Sequence, residues 1–351
     1  MPVLNSSQFL PAGKLPLPLL EKLLTRYTPH DPRIVVGPRP GEDAAVFDFG
    51  DRYLVAKTDP ITFATSEIGW YAVNVNANDV AVMGAQPRWF LATVLLPAGQ
   101  ATPEMAEAIF AQMVDACEVL GVSLAGGHTE ITVNLDRPII SGTMLGEVLP
   151  AGLITTAGAR PGDAVMLVKP VPIEGTALIA LERADELRAR GYPEEFIARA
   201  QRLLHDPGIS VVAPALLAAA SRSAVHAMHD PTEGGVLTGL LEIARAAGVG
   251  LTVHLDAIPL LPEGMALCRE YGLDPLGTLA SGALLLTVED QAAGKLGEVL
   301  ATAGYPSAVI GWVTTSDRGL VALRDGERVA WPEFVADEVT AIFAQPSPQK
   351  A

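Results

Sequence analysis

Five segments of this chain place carboxylates, amides or paired glycines where elements of secondary structure meet. In GEDAAVFDF (residues 41–49), Glu42 and Asp43 stand directly before a strand, and in KTDP (57–60) Asp59 stands at the exit of the next one. NVNANDVAVMGA (74–85) carries Asn74, Asn78 and Asp79 inside an otherwise apolar helix. Asn and Asp are poor interior helix residues because their side chains compete for the backbone, so three in one helix need another reason. AGGHTE (125–130) follows a short strand at Val122 to Ala125, and in HDPTEGGVLTGLLE (229–242) Asp230 ends a strand while a Gly pair opens a helix.

These types in combination describe one chemistry. Carboxylates at strand ends point outward at an edge shared by several loops, and hard oxygen ligands of this kind suit Mg²⁺, which takes one or two carboxylates plus phosphate oxygens. Paired glycines let backbone N–H groups approach an anion, and a helix N-terminus adds partial positive charge. The Gly pair 234–235 has a second reading, close helix packing, because the neighbouring Glu233 would repel a phosphate. Neither GxxxxGK[ST] nor GxGxxG occurs, so the two standard nucleotide fingerprints do not apply.

Composition narrows the class. With 24 basic and 40 acidic residues among 351, the formal net charge is −16, which argues against nucleic acid and anionic membrane as partners. The chain is 49% hydrophobic and 18% charged, enough to bury a sizeable core. No apolar run approaches the ~18 residues of a membrane span. The N-terminus lacks a basic-then-apolar secretory pattern, so a cytoplasmic protein is expected. Cys117 and Cys268, the only cysteines, make neither a disulfide framework nor a four-Cys zinc site and sit at helical core spacing. His226 and His229 frame a strand end without the spacing of a zinc site.

The elements that must position these residues alternate along the chain. Leu17 to Tyr27 reads as a short helix, and strands are expected at 44–49 and 53–58. A helix over 67–83 takes Ser66 as N-cap and Ile68, Tyr71, Val75 and Met83 as its apolar face. A strand at 88–96 precedes a helix opened by Thr102-Pro103-Glu104, with Met105, Ile109, Met113, Cys117 and Leu120 as its stripe and Gly121 as its end. A strand at 138–148 completes this half. The turn-rich segment 149–162 marks a boundary between a first domain, 1–150, and a second, 151–351. The second half predicts strands at 164–169, 225–229, 250–255, 283–288 and within 307–323. Helices are expected within 174–221 and at 234–247, 263–271, 291–303 and 332–343. The fold class is α/β (α+β) in two halves.

The segments GEDAAV, KTDP, NANDVAVMGA, GGHTE and HDPTEGGVLTGLLE, in this order and extended by SGALLL at 281–286, resemble the superfamily of aminoimidazole ribonucleotide synthetase, thiamine-monophosphate kinase, selenophosphate synthetase and the hydrogenase maturation factor HypE, and look most like HypE and its relatives. The resemblance implies an N-terminal domain that forms a β-barrel across a homodimer and a C-terminal α/β domain closing a cleft for ATP and Mg²⁺. Carried over by position, Asp43, Asp59 and Asp79 look like metal ligands. Asp230 matches an acidic residue near the metal–phosphate cluster, taken with His128 as catalytic. Lys14, Thr58, Asn78, Gly126, Gly127 and Thr129 look like nucleotide contacts. His128 has two readings, a phosphate contact or acid near neutral pH and a residue bonded to local backbone. Lys14 likewise reads as a point charge for a phosphate or as a solvated lysine.

Family members transfer a phosphoryl group from ATP to an oxygen or selenium centre; in HypE the acceptor is a thiocarboxamide on its own C-terminal cysteine. HypE ends in a Pro-Arg-Ile-Cys-like tail and this chain in SPQKA, so self-modification in the usual way is not expected. Glu233 stands where HypE usually has Arg, and His128 where thiamine-monophosphate kinase has Asp. The reactive N-terminal Cys or selenocysteine of selenophosphate synthetase has no counterpart before residue 117. The expectation is an Mg²⁺-dependent ATP-using enzyme with an unidentified acceptor. The alternatives are a non-catalytic nucleotide-binding assembly factor and a kinase of the thiamine-monophosphate or selenophosphate type.

Overall fold

The computed structural model describes residues 15, 17–28, 31–221, 224–334 and 336–343. A helix α1 (Leu17–Tyr27) leads into β1 (Ile34–Val36), β2 (Ala45–Asp48) and β3 (Tyr53–Ile61). Then come α2 (Ile68–Val82), β4 (Gln86–Pro97), α3 (Pro103–Leu120), β5 (Ser123–Thr132) and β6 (Ile139–Val148). The six strands form one sheet in the order β1-β2-β3-β6-β4-β5, antiparallel except for the β4–β5 pair. Among the described residues the sheet is open, with β1 and β5 at its edges, and it does not close into a barrel.

After β6 the chain runs through short turns into β7 (Asp163–Val168), then α4 (Ile173–Glu182), α5 (Ala184–Ala189), α6 (Glu194–Arg202), α7 (Val212–Ala219) and β8 (Val225–His229). It continues with α8 (Gly235–Ala247), β9 (Gly250–His254), α9 (Pro262–Tyr271), β10 (Leu284–Glu289) and α10 (Asp290–Thr302). β11 (Ser307–Thr314), β12 (Leu320–Arg324), β13 (Glu327–Val329) and α11 (Thr340–Phe343) follow. Seven strands form the second sheet, β13-β12-β9-β11-β7-β10-β8. No helix among the described residues is long and apolar enough to cross a membrane.

One apolar core runs from the first sheet through α2 into β7, α4 and α7, so the halves share an interior. Helix α2 lies at the centre of it: every residue but Trp70 is buried. The face expected from Ile68, Tyr71, Val75 and Met83 is therefore only one side of an element with no solvent side.

Five local expectations are corrected. Ser66 is not the cap of α2; Glu67, in the left-handed region at φ 58°, precedes the helix without a side-chain cap, and Glu182 accepts from the main-chain N–H groups of Thr65 and Ser66 instead. β3 does not end before Asp59 but continues to Ile61, because Asp59 and Pro60 keep ladder positions opposite Gly142 and Ser141. The Gly126–Gly127 pair does not end a strand; β5 runs straight through it. A Cβ on Gly127 would meet the carbonyl oxygen of Ala92 at 2.0 Å, so glycine here serves close strand approach. The terminal helix expected over 332–343 is confined to Thr340–Phe343, and β13 occupies a stretch where no strand was expected.

Candidate metal centre

The polar residues of α2 divide by function. Asn74 donates to the carbonyl of Trp70 one turn back, and Asn76 donates to Ala72 O at 2.9 Å and Asp59 O at 3.2 Å, tying the helix to β3. Asn78 uses both ends of its amide on the other half of the molecule. Its Nδ2 donates to Ile209 O at 2.8 Å, and its Oδ1 accepts from Val211 N–H at 2.7 Å, just before α7.

Asp79, beside it, faces two further carboxylates. Asp43 arrives from the loop before β2 and Asp230 from the C-terminal end of β8, so the three come from both halves of the chain. One oxygen from each lies within 4.8 Å of the others, and none of the residues is more than 7% exposed. Among the described residues, Oδ2 of Asp79 and both oxygens of Asp230 have no hydrogen-bond partner. Burial first, then the negative neighbours, hold the carboxyls of Asp79 and Asp230 above the usual range.

Two basic groups border this cluster that spacing alone did not reveal. Lys57 extends from β3 on the same face as Asp59, two residues away, with Nζ 3.0 Å from Asp79 Oδ1 and 3.5 Å from Asp59 Oδ2. Burial alone would lower its pKa, but Asp79 and Asp59 outweigh this and keep the ammonium charged. His229 sits between Asp43, whose Oδ1 is 2.7 Å from Nδ1, and Glu242, whose Oε2 is 3.0 Å from Nε2. Burial opposes its charge and the two carboxylates, Asp43 first, outweigh this and raise its pKa, while the ring backs Asp43 from behind. The hydroxyl of Thr156 donates to the other oxygen of Asp43 at 2.8 Å. The sequence signal for Lys57 was the period of two along a strand carrying Asp59; His229 had only its place beside Asp230.

The remaining candidates lie elsewhere. Asp59 adjoins the cluster through Lys57 without entering the group of three. Strand alternation turns Thr58 to the opposite face, where its hydroxyl donates to Gly142 O at 2.8 Å. Gly126, Gly127, His128 and Thr129 stand on edge strand β5, exposed. The register Asp59–Gly142–Ala92–Gly127 puts three strand spacings, about 14 Å, between the backbone of Asp59 and this edge. His128 Nε2 pairs with Glu130 Oε2 at 3.1 Å. Lys14 lies outside the described residues. At the second Gly pair, the N–H of Gly234 is taken by Asp337 Oδ2 at 2.7 Å, and a Cβ on Gly235 would strike Leu276 O at 2.3 Å, which matches the packing reading of that pair.

A hard divalent cation fits this donor set. Three buried, convergent carboxylates with orphaned oxygens are costly without positive charge, and all-oxygen ligands select Mg²⁺ over softer metals.

Sequence comparison matches residues 41–148 to the AIR synthase related protein N-terminal domain and residues 160–323 to the corresponding C-terminal domain. The chain belongs to the AIR synthase-related family. Carbamoyl dehydratase HypE of Cupriavidus necator is 34% identical to it over 260 residues, 70% of this chain and 69% of that protein. A crystal structure of the hydrogenase maturation protein HypE superposes with a TM-score of 0.69 at 25% identity, covering 89% of this chain and 96% of the other. A HypE structure in complex with ATP shares the fold at a TM-score of 0.62 and 23% identity, covering 89% and 90%. Within this AIR synthase-related architecture, the carboxylate cluster lies where the two matched domains meet.

Proposed function

We propose that this chain is an Mg²⁺-dependent, ATP-using enzyme of the HypE-like group that activates an oxygen centre (carbonyl, amide or phosphate) by phosphoryl transfer. The observation that carries this is the meeting of Asp43 and Asp79 from one half with Asp230 from the other, with three oxygens left without partners. These residues would hold the cation, which supplies charge neutralisation to polyphosphate oxygens when bound. His229 and Thr156 orient Asp43; Lys57 holds Asp79 and Asp59 together and keeps a positive charge beside the transferring group. The ATP complex of a HypE protein supports the nucleotide, and the name carbamoyl dehydratase supports an amide-like acceptor.

The reading includes a homodimer and a cytoplasmic setting. The open sheet and the unpaired edge of β5, with Ile131 exposed, leave room for a second copy to complete a barrel. Gly126, Gly127, His128 and Thr129 keep a phosphate-side role only through such a copy. A boundary near residue 150 divides the half that supplies Asp43 and Asp79 from the half that supplies Asp230 and closes over the site.

The test is calorimetry with ATP and Mg²⁺ together with an ADP-release assay across candidate acceptors. Mg²⁺-dependent ATP binding and turnover, both lost in Asp79→Asn and Asp230→Asn, are expected. ATP binding without turnover would favour the assembly-factor alternative. Unchanged turnover in both variants overturns the proposal.

A further inference from the structure

Asp79 uses its two oxygens differently. Oδ1 takes the ammonium of Lys57 at 3.0 Å, and Oδ2 has no hydrogen-bond partner among the described residues. A carboxylate can serve one cation with each oxygen, so Asp79 joins the ammonium to the metal position that it forms with Asp43 and Asp230. That metal position carries its own signs of a missing cation: Asp79 is 4% exposed, Asp230 is 2% exposed, and both oxygens of Asp230 are also without a partner.

The ammonium is shared. Asp59 Oδ2 lies 3.5 Å from the same Nζ, and Lys57 and Asp59 project from one face of β3. The backbone of Lys57 holds a ladder position opposite Met144, so its charge is tethered to the site and does not exchange with ions in solution. Among the described residues, no other Lys or Arg is ion-paired with Asp43, Asp59, Asp79 or Asp230. Paired metal ions that act on phosphate groups lie about 3.5–4 Å apart and neutralise both the attacking and leaving oxygens. An ammonium between two carboxylates is a compact point charge that neutralises as a metal does but coordinates nothing.

We propose that Lys57 is a resident cation: its ammonium occupies the second of two adjoining cation positions, between Asp79 Oδ1 and Asp59 Oδ2, so the centre takes a single divalent ion. This rests on the divalent-cation reading of Asp43, Asp79 and Asp230 and stands apart from the reaction proposed for them. It also accounts for Asp59, the expected metal ligand that stays outside the group of three: its carboxylate faces the ammonium where a second metal would sit. With the ammonium gone, the two oxygens become ligands for a second ion, and water completes its shell.

Mn²⁺ is the probe, because it accepts the oxygen ligands that suit Mg²⁺ and is counted by EPR. The full-length parent, Asp230→Asn, Lys57→Met and the double variant Lys57→Met/Asp59→Asn are titrated with Mn²⁺ in the absence of nucleotide. The parent is expected to bind one ion, lost in Asp230→Asn. Lys57→Met should bind two, with the spectral broadening of neighbouring ions, and the double variant one again. Lys57→Arg keeps a positive charge in place and should stay at one. Lys57→Gln, which lacks the charge but can still donate to Asp79, should show the same gain and replaces the Met variant should that fail to fold. Two coupled ions in the parent, or a count that does not rise in folded Lys57→Met and Lys57→Gln, overturn the inference. An ion absent from the parent but gained in Lys57→Met, and lost again with Asp59→Asn, sinks the three-carboxylate metal reading and upholds the lysine position. The expected counts without any ATP turnover would remove the reaction and leave the resident cation standing.

Discussion

The ammonium of Lys57 lies 3.0 Å from Oδ1 of Asp79, joining the central helix α2 to strand β3 at the edge of the carboxylate cluster. The pair leaves Oδ2 of Asp79 and both oxygens of Asp230 unmet, so a single lysine offsets only part of the negative charge.

Lys57→Met should cost about 3 kcal/mol of unfolding free energy in EDTA, because it strands a buried carboxylate. Mg²⁺ should recover more stability in the variant than in the parent. Denaturant unfolding with and without the metal measures both; an identical Mg²⁺ increment in the two proteins would show that the metal does not sense Asp79.

Asp230→Asn should behave oppositely. Removing one of three repelling carboxylates raises stability in EDTA at pH 8 by about 1 kcal/mol. The melting shift produced by Mg²⁺, worth about 2.7 kcal/mol at a hundredfold excess over Kd in the parent, should largely vanish. A full Mg²⁺ shift in the variant's thermal scan rules out Asp230 as a ligand.

Glu174 supplies a pH dependence away from the metal. Its folded pKa of about 8 lies above the ordinary value of 4.5, so the folded state keeps a proton that the unfolded chain releases between these limits. Stability contributed by this group is therefore full below about 4.5 and falls as pH rises toward 8. Glu174→Gln removes the slope and should leave the protein about 2 kcal/mol more stable at pH 8, with little change at pH 4.5. Parallel stability–pH curves for the two proteins would refute it.

Asn78→Ala should cost about 2 kcal/mol by orphaning Ile209 O and Val211 N–H at the seam between the halves. Hydrogen exchange at the Val211 amide reads the effect directly: protection should drop there more than in β4. Uniform loss across the molecule would mean that Asn78 holds no particular contact.

The carboxylates were legible because each stands at the end of an element or breaks the apolar run of α2. Asn78 was legible as an anomaly, but its partners lie 131 and 133 positions away, and no local pattern announces a contact of that range. Lys57 opens the KTDP segment, where Asp59 drew the attention, and only the fold shows it reaching Asp79; His229 needed Glu242 on α8 to reveal its partner. The strand β5 was cut short on paper because paired glycines punctuate most chains; here they let two backbones touch. The helix expected from 332 was shortened where Asp337 turns inward to meet Gly234 and Val339 N–H.

The burial of α2 on every side has a consequence for how this chain can drift. A helix with one wet flank accepts change at every third or fourth residue, and a saturation scan of it shows stripes. Across Ile68–Val82 the same scan should show a block of intolerance interrupted at Trp70 alone, so new specificity must arise in the walls around the helix while the helix itself stays still.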